Sequence, residues 1–536
     1  MKILTAEEMG AADRLSVERF GVSIETLMEA AGHAVAAFCL RRYPAASQVV
    51  VLCGKGNNGG DGLVAARALA QAGKAVQIVL LGRRDELKGE PAGVMKRLEQ
   101  ESSVVVNEVV DEAGLEGFAR VLGKADLLLD AVVGTGFKPP LRGLAVSLRE
   151  RVEGLDTPMI AVDLPSGWDA NSMAQTAEGS FRADAVVTFT APKLAHMFGH
   201  LTRNETTGSA FRPVVVGQIG SPADAVVSAT GLTWGGSSKA LTERPRDVNS
   251  NKGKFGHVLV VGGSYGKAGA PAMASLACLR AGAGLVTAAV PKSIVDTVTL
   301  ITPELMMTPL AEGSKGAVSF KNLDAAKLDA LVEKISVVAV GPGLSTEGDA
   351  SAFARHVVEK TTMPVVIDAD ALNAFAGKTR LLNGKGRVMV LTPHPGEMAR
   401  LAGLTVKEVE ADRIGLARRF ATEHELTLVL KGWRTLVAHP DGSIAVNTSG
   451  NPAMAKGGSG DILTGIVAAM LAQYPNDVAR AVEAAVYLHG LAGDFAAQAM
   501  DEHTVLATDT VTHLSDAFRY RVTDSDGLTW ICGLRR

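Results

Sequence analysis

Short aliphatic runs punctuate the chain, and several stop abruptly at glycine-rich loops. Val49–Leu52 runs into Gly54, Leu127–Val133 into Gly134, His257–Val261 into Gly262 and Gly263, and Val337–Val340 into Gly341. Runs this short and this uniformly apolar suit strands buried on both faces, because a half-exposed strand would alternate. Helical spacing fills the intervals, beginning with a stretch from about Asp61 to Gln71. Strand, tight loop and helix in repetition build a parallel sheet with helices on both sides. One series comprises Val49–Leu52, Ala75–Leu81, Leu127–Val133, Met159–Leu164 and Ala185–Phe189. A second comprises His257–Val261, Leu285–Val290, Val337–Val340, Val365–Ile367, Val388–Leu391 and Thr427–Leu430. The expected fold class is α/β throughout, with a doubly wound first domain and another α/β domain behind it.

At 536 residues the chain is longer than one core ordinarily serves. The Ser-, Gly-, Pro- and Asn-rich stretch from Ser221 to Lys254 separates the two series. This places a first domain at 1–222, a linker at 223–240, a second domain at 241–520 and a peripheral tail at 521–536. Hydrophobic content of 47% with only 4% aromatic residues describes a compact α/β enzyme. A net charge of -3 gives no electrostatic case for nucleic acid or an anionic membrane. Cys39, Cys53, Cys278 and Cys532 form no CxxC pair, so they read as buried small hydrophobes in a reducing, cytoplasmic setting. The opening MKILTAEEMGAAD turns acidic too early for a secretory signal. Gly269–Val290 carries a single charge, Arg280, yet its glycines at 282 and 284 divide it into a buried helix and a strand rather than a membrane span.

In the first half, Gly54, Gly56 and Gly59 satisfy a dinucleotide GxGxxG pattern, but the next strand ends Leu81-Gly82-Arg83-Arg84 without the acidic residue that would hold a ribose. Asn57, Asn58 and Asp61 among those glycines can instead bind a cation or ligand hydroxyls. Asp130 and Asp163 end two further strands beside glycines. In a doubly wound sheet such ends collect the ligand site, although each aspartate alone could equally be a turn residue.

LMEAAG at 27–32, GKGNNGGDG at 54–62, DAVVGTGF at 130–137 and VDLPSG at 162–167 together resemble the amino-terminal epimerase domain of NAD(P)H-hydrate repair proteins, over about residues 1 to 220. The resemblance implies a Rossmann-like doubly wound domain. It also implies that Asn57, Asn58, Gly59, Gly60 and Asp61, with Gly134, Thr135, Gly136, Phe137, Lys138, Pro139 and Pro140, hold the substrate's phosphates and sugars. It further implies a potassium ion at Asn58, Asp130 and Ser166, and catalysis by Asp163 beside the reacting ring. Trp168 is bulkier than the residue expected after VDLPSG.

The second half carries KGGSGD at 456–461, just before the apolar stretch 462–471. Glycines that let the backbone approach a ligand, with free N–H groups at a helix start, favour phosphate oxygens. A carboxylate there repels phosphate unless it takes a proton from a hydroxyl that receives the phosphoryl group; otherwise Asp461 merely caps the helix. The helix dipole favours its ionised form. Neither a Walker A loop nor a serine-hydrolase elbow is present, since Leu372 stands five before Gly377 and Ser459 is followed by Gly460 and Asp461. His394 could touch substrate or cap a loop.

Together, GPG at 341–343, DADALNA at 368–374, TPHPGE at 392–397, KGWRT at 431–435 and GNPAMAKGGSGD at 450–461 resemble the dehydratase of the same repair system, a ribokinase-like α/β domain, over about residues 235 to 520. That resemblance implies that Ala270, Gly343, His394, Pro395, Gly396, Glu397, Met398, Ala399, Arg400 and the catalytic base Asp461 face the hydrated nucleotide. Lys431, Gly432, Trp433, Arg434 and Thr435, with Gly450, Asn451, Pro452, Ala453, Met454, Ala455, Lys456, Gly457, Gly458, Ser459 and Gly460, would hold ADP, assisted by Mg2+. Ala453 replaces an expected glycine, and Lys456 replaces a small residue and could add a phosphate contact. The implied activity is interconversion of the R and S forms of hydrated NADH and NADPH, and dehydration of the S form at the expense of ADP, giving AMP and phosphate. A homo-oligomer is expected. The alternative is a vitamin or sugar kinase fused to a nucleotide-binding module or dehydrogenase domain.

Overall fold

The apolar runs form strands whose residues are mostly buried, such as Leu127–Ala131 and Ala185–Phe189 in one sheet and Val337–Val340 and Thr427–Leu430 in another. The computed structural model describes residues 1–101, 104–202 and 213–535. One unit comprises 1–232 with 521–536, and a second comprises 233–520.

The first unit holds an eight-stranded sheet ordered Leu528–Cys532, Val214–Gly217, Ala185–Phe189, Met159–Val162, Leu127–Ala131, Gln48–Cys53, Ala75–Leu81 and Val105–Val109. All neighbours pair parallel except the last strand of the chain, which lies antiparallel on Val214–Gly217. Within the segment 521–536, expected to be a peripheral tail, Leu528–Cys532 is therefore an edge strand of this sheet. Its burial is the reason: Leu528, Trp530 and Ile531 are all within the core, and Trp530 tilts against Phe38 with centroids 6.0 Å apart. The helix expected from about Asp61 begins at Asn57, so the glycine loop is already its first turn.

The second unit holds a ten-stranded sheet in which Met306–Leu310, Leu285–Pro291, His257–Val261, Val337–Val340, Val365–Ile367, Met389–Leu391 and Thr427–Leu430 run parallel. An antiparallel extension follows through Leu436–Ala438 and Ile444–Val446. The edge strand Leu232–Trp234 and the 3-10 helix Gly235–Thr242 occupy the sequence read as a linker. Trp234 is nearly inaccessible, meets Tyr487 edge-on at 5.7 Å and donates from Nε1 to Thr448 Oγ1 at 2.8 Å, so this stretch is anchored rather than free. Gly269–Arg280 and Ser459–Gln473 are helices in close contact: a methyl group on Gly465 would lie 2.0 Å from the Ala274 carbonyl oxygen. Gly269–Val290 is thus a helix followed by a strand, and among the described residues no helix is long and apolar enough to cross a membrane. All four cysteines are free and buried, and burial pushes the Cys39 thiol up to about 12.

Candidate active sites

In the first unit the winding reverses between Gln48–Cys53 and Leu127–Ala131, so the loops leaving these neighbouring strands diverge and open a crevice. Only glycine fits behind it, because a methyl group on Gly54 would lie 2.0 Å from the Val132 carbonyl oxygen. The crevice is a cavity of about 780 Å3, and its wall includes the expected Asn57, Asn58, Asp61, Gly134, Thr135, Gly136, Phe137 and Asp163. Gly59 and Gly60 are buried in the first turn of the Asn57–Gln71 helix instead. Lys138, Pro139 and Pro140 lie off the wall; the Lys138 ammonium sits 3.7 Å from both Glu7 and Asp169, an attraction that draws it aside. Trp168 fits because Gly199 has no side chain where the indole packs.

Asp163 ends its strand in a left-handed conformation, φ 66°, that non-glycine residues seldom adopt. Its carboxylate accepts from Thr135 Oγ1 in a short contact, from the Thr135 N–H at 3.0 Å, from Thr188 Oγ1 at 2.8 Å and from Lys193 Nζ at 2.9 Å. Lys193 is 1% exposed and gives a second proton to Thr188 Oγ1. Burial would raise the Asp163 pKa, but the Lys193 charge foremost, helped by the hydrogen bonds, holds it well below the ordinary carboxylate range. His196 Nδ1 accepts the Lys193 N–H at 2.9 Å, which leaves Nε2 to donate to the Asp163 carbonyl at 2.7 Å. Burial lowers this imidazole to about 4, so it stays neutral and serves as a brace. Lys193 and His196 belong to no motif, and only their return to the strand ends reveals them.

Next to this group, Asp130 is fully buried and accepts the Ser166 N–H at 2.7 Å and the Ser166 hydroxyl at 2.6 Å. Burial pushes its pKa up to about 6 against those hydrogen bonds. The Asn58 amide is buried with neither Oδ1 nor Nδ2 partnered among the described residues. It lies against Gly134, the residue after Val133, whose N–H and carbonyl both meet Ser166 Oγ. The three residues expected to surround a cation are therefore joined through one loop.

In the second unit the reversal falls between His257–Val261 and Val337–Val340. Ala270 and Gly343 adjoin there: a methyl group on Gly343 would lie 3.0 Å from the Ala270 Cβ. His394 caps the helix Pro395–Ala402, its Nδ1 accepting the Gly396 N–H at 3.0 Å, while Glu397 returns to the His394 N–H at 2.8 Å. His394 also lines a cavity, so capping and ligand contact are compatible. Met398 and Ala399 turn into the core, and Arg400 Nε donates to Asn373 Oδ1 at 2.7 Å.

That cavity, about 700 Å3, is walled by Lys431, Gly432, Trp433, Arg434, Thr435, Gly450, Asn451, Pro452, Met454, Ala455, Lys456, Gly457, Ser459 and Gly460. Ala453 instead packs with Ala496, Ala497 and Val505. Lys456 Nζ donates to the His503 carbonyl at 2.7 Å, which engages the ammonium expected to add a phosphate contact. Gly458 has φ 96°, a turn that lifts the loop onto the helix start. Asp494 accepts the Gly450 N–H at 3.0 Å and Asn451 Nδ2 at 2.9 Å, so it shapes this loop from below.

Asp368, quoted in the sequence only as part of a motif, is the electrostatic hub. Its oxygens accept from Thr392 Oγ1 at 2.7 Å, Lys431 Nζ at 3.0 Å and Thr464 Oγ1 at 2.8 Å, tying two strand ends to the Ser459–Gln473 helix. Glu397 lies 3.8 Å from the same ammonium. Asp461, in the first turn of that helix, feels the charges of this cluster. The helix dipole alone would favour its ionised form, but burial, then repulsion from Asp368, outweigh Lys431 and push its pKa up to about 7. A carboxyl so poised can take and return a proton near neutrality.

Comparison with known proteins covers both units. A family profile described as NAD(P)H-hydrate dehydratase matches residues 258–518, and one described as YjeF-related protein N-terminus matches residues 24–195. The bifunctional NAD(P)H-hydrate repair enzyme Nnr of Moorella thermoacetica is 38% identical over 526 residues, 97% of either chain. Its namesakes in Thermofilum pendens and Coxiella burnetii are each 35% identical, across 97% and 94% of this chain and 96% of theirs. Among solved structures, an ADP/ATP-dependent NAD(P)H-hydrate dehydratase of Bacillus subtilis, co-crystallised with ATP and Mg2+, aligns with a TM-score of 0.45 and 29% identity over 54% of this chain and 99% of that one. With matches this long running through both units, the chain belongs to the family of bifunctional NAD(P)H-hydrate repair enzymes.

Proposed function

We propose that the two cavities act in sequence on hydrated NADH and NADPH, the first interconverting the R and S forms and the second dehydrating the S form. The observation that carries the reading is the glycine-walled cavity itself, whose wall ends at Ser459 and Gly460 in the first turn of the Ser459–Gln473 helix, immediately before Asp461, a carboxyl that burial pushes up to about 7. Hydroxide is a poor leaving group. Asp461 takes the ring hydroxyl's proton as the oxygen attacks the terminal phosphoryl group of the nucleotide, and loop N–H groups stabilise the transferring charge. Phosphate then leaves with the carbon–oxygen electron pair, a proton is lost from the neighbouring carbon, and the dihydronicotinamide is restored. The donor is ADP, as the resemblance implied, so AMP and phosphate accumulate. Mg2+ would be carried by the nucleotide's phosphates and water.

In the first cavity, the reacting carbon carries both the hydroxyl and the ring nitrogen. Loss of hydroxide leaves a cation there, and Asp163, fixed in its ionised form by Lys193, is suited to stabilise that cation. It is a weak base, so the catalysis expected of it is electrostatic support. The orphaned Asn58 amide oxygen, with Asp130 and the Ser166 hydroxyl, matches the oxygen ligands of potassium. The ion would hold the Asn58 and Gly134 loops around the substrate.

The test supplies pure S hydrate with purified ADP. Return of the dihydronicotinamide absorbance with stoichiometric AMP supports the reading. A stable phosphorylated product without that absorbance would establish a kinase instead.

A further inference from the structure

One carboxyl in the first cavity has no part in the chemistry described so far. Asp13 lies on the helix Ala6–Glu18, which a Thr5–Glu8 capping box and a 2.7 Å bond from the Ala6 N–H to Asn171 Oδ1 hold in place. Its side chain shares the cavity wall with Asp61, Asp163 and Lys193. Oδ1 is buried and has no hydrogen-bond partner among the described residues. An unmatched buried acceptor is a poor arrangement for a purely structural aspartate but a natural one for a group that meets a ligand. Burial raises the pKa of Asp13 and, with repulsion from Asp163 and Asp13, that of Asp61 well above the ordinary range. Of two such carboxyls on one cavity wall, a member that keeps its proton can act as an acid and a member that ionises can act as a base.

We propose that Asp13 and Asp61 form the proton-transferring pair of the inversion, with Asp13 the member contributed by the amino-terminal helix. This rests on the epimerase reading. The protonated member gives its proton to the ring hydroxyl as the carbon–oxygen bond breaks, with the bonding pair leaving on oxygen. Water departs, and the ring-nitrogen lone pair forms an iminium beside the Asp163 carboxylate. A water molecule then adds to the opposite face, forming a new carbon–oxygen bond and losing its proton to the ionised member. One proton has crossed between the carboxyls and one oxygen has exchanged with solvent; the reverse inversion restores the pair.

The test uses the full chain with a single epimer in water enriched in oxygen-18. The wild-type protein takes up label as it inverts. Asp13→Asn is expected to slow inversion roughly 100- to 10,000-fold, while hydrate binding by calorimetry and thermal melting are retained, and Asp13→Glu recovers part of the rate. Inversion and labelling by Asp13→Asn at the wild-type rate would overturn the assignment. So would loss of inversion only together with hydrate binding, without recovery in Asp13→Glu. A wild-type chain that inverts nothing would remove the epimerase reading itself, and this inference with it.

Discussion

Dehydration should rise with pH through the ionisation of Asp461. Burial, then the charges of Asp368, Asp370 and Glu397, push this carboxyl from 3.8 to about 7 against the pull of Lys431. The displacement corresponds to roughly 4 kcal/mol in favour of the protonated form. Only the ionised form can accept the hydroxyl's proton, so the rate is full above about 7 and is lost as pH falls below it. At pH 6 roughly a tenth of the molecules carry the base, and at pH 5 roughly a hundredth. An aspartate at its ordinary value would leave the rate flat over that interval. Glu397→Gln removes one source of repulsion and should move the limb to lower pH, while Asp461→Asn should lose roughly 100- to 10,000-fold in kcat above about pH 7 and show no such limb below it. The assay is kcat for pure S hydrate at saturating ADP, followed by the returning absorbance. A flat profile below neutrality, or a near-normal Asp461→Asn enzyme, would refute the reasoning.

Lys193→Met leaves the buried Asp163 carboxylate without its cation, which should cost about 3–5 kcal/mol in stability and reduce inversion, while dehydration of pure S hydrate continues; unchanged inversion would exclude the pair. Asp130→Asn should abolish the advantage of potassium over sodium salts and raise the KM of the epimerase step, and a variant still activated by potassium would dismiss the proposed ion site. Gly465→Ala forces a methyl group to within 2.0 Å of the Ala274 carbonyl oxygen, an overpacking worth about 1–3 kcal/mol, and should lower the melting temperature of the second unit; an unaltered melt would show that the two helices separate easily.

The strands buried on both faces were legible because an unbroken apolar run has few other uses, and Ala185–Phe189, Val337–Val340 and Thr427–Leu430 fall where their composition puts them. Leu436–Ala438 and Ile444–Val446 span three residues each, too few to show a period. Leu528–Cys532 was read as tail because nothing local tells an isolated apolar pentad that its partner is Val214–Gly217. The glycine loops and strand-end aspartates announced the cavities, since ligand approach restricts residue type. Lys193, Asp13 and Asp368 did not announce themselves: each acts through neighbours supplied by distant strands or helices, and their charges acquire meaning only when the sheets bring them together.

The most direct test of the two-step account is complete repair of an equal mixture of R and S hydrates by the full chain with potassium, Mg2+ and ADP, read as absorbance regained and AMP formed. The wild-type protein should convert the whole mixture, whereas Asp163→Asn should stop once the S fraction is consumed. Wild-type conversion that halts at the S fraction, or an Asp163→Asn chain that finishes the mixture as fast as wild type, would contradict the account.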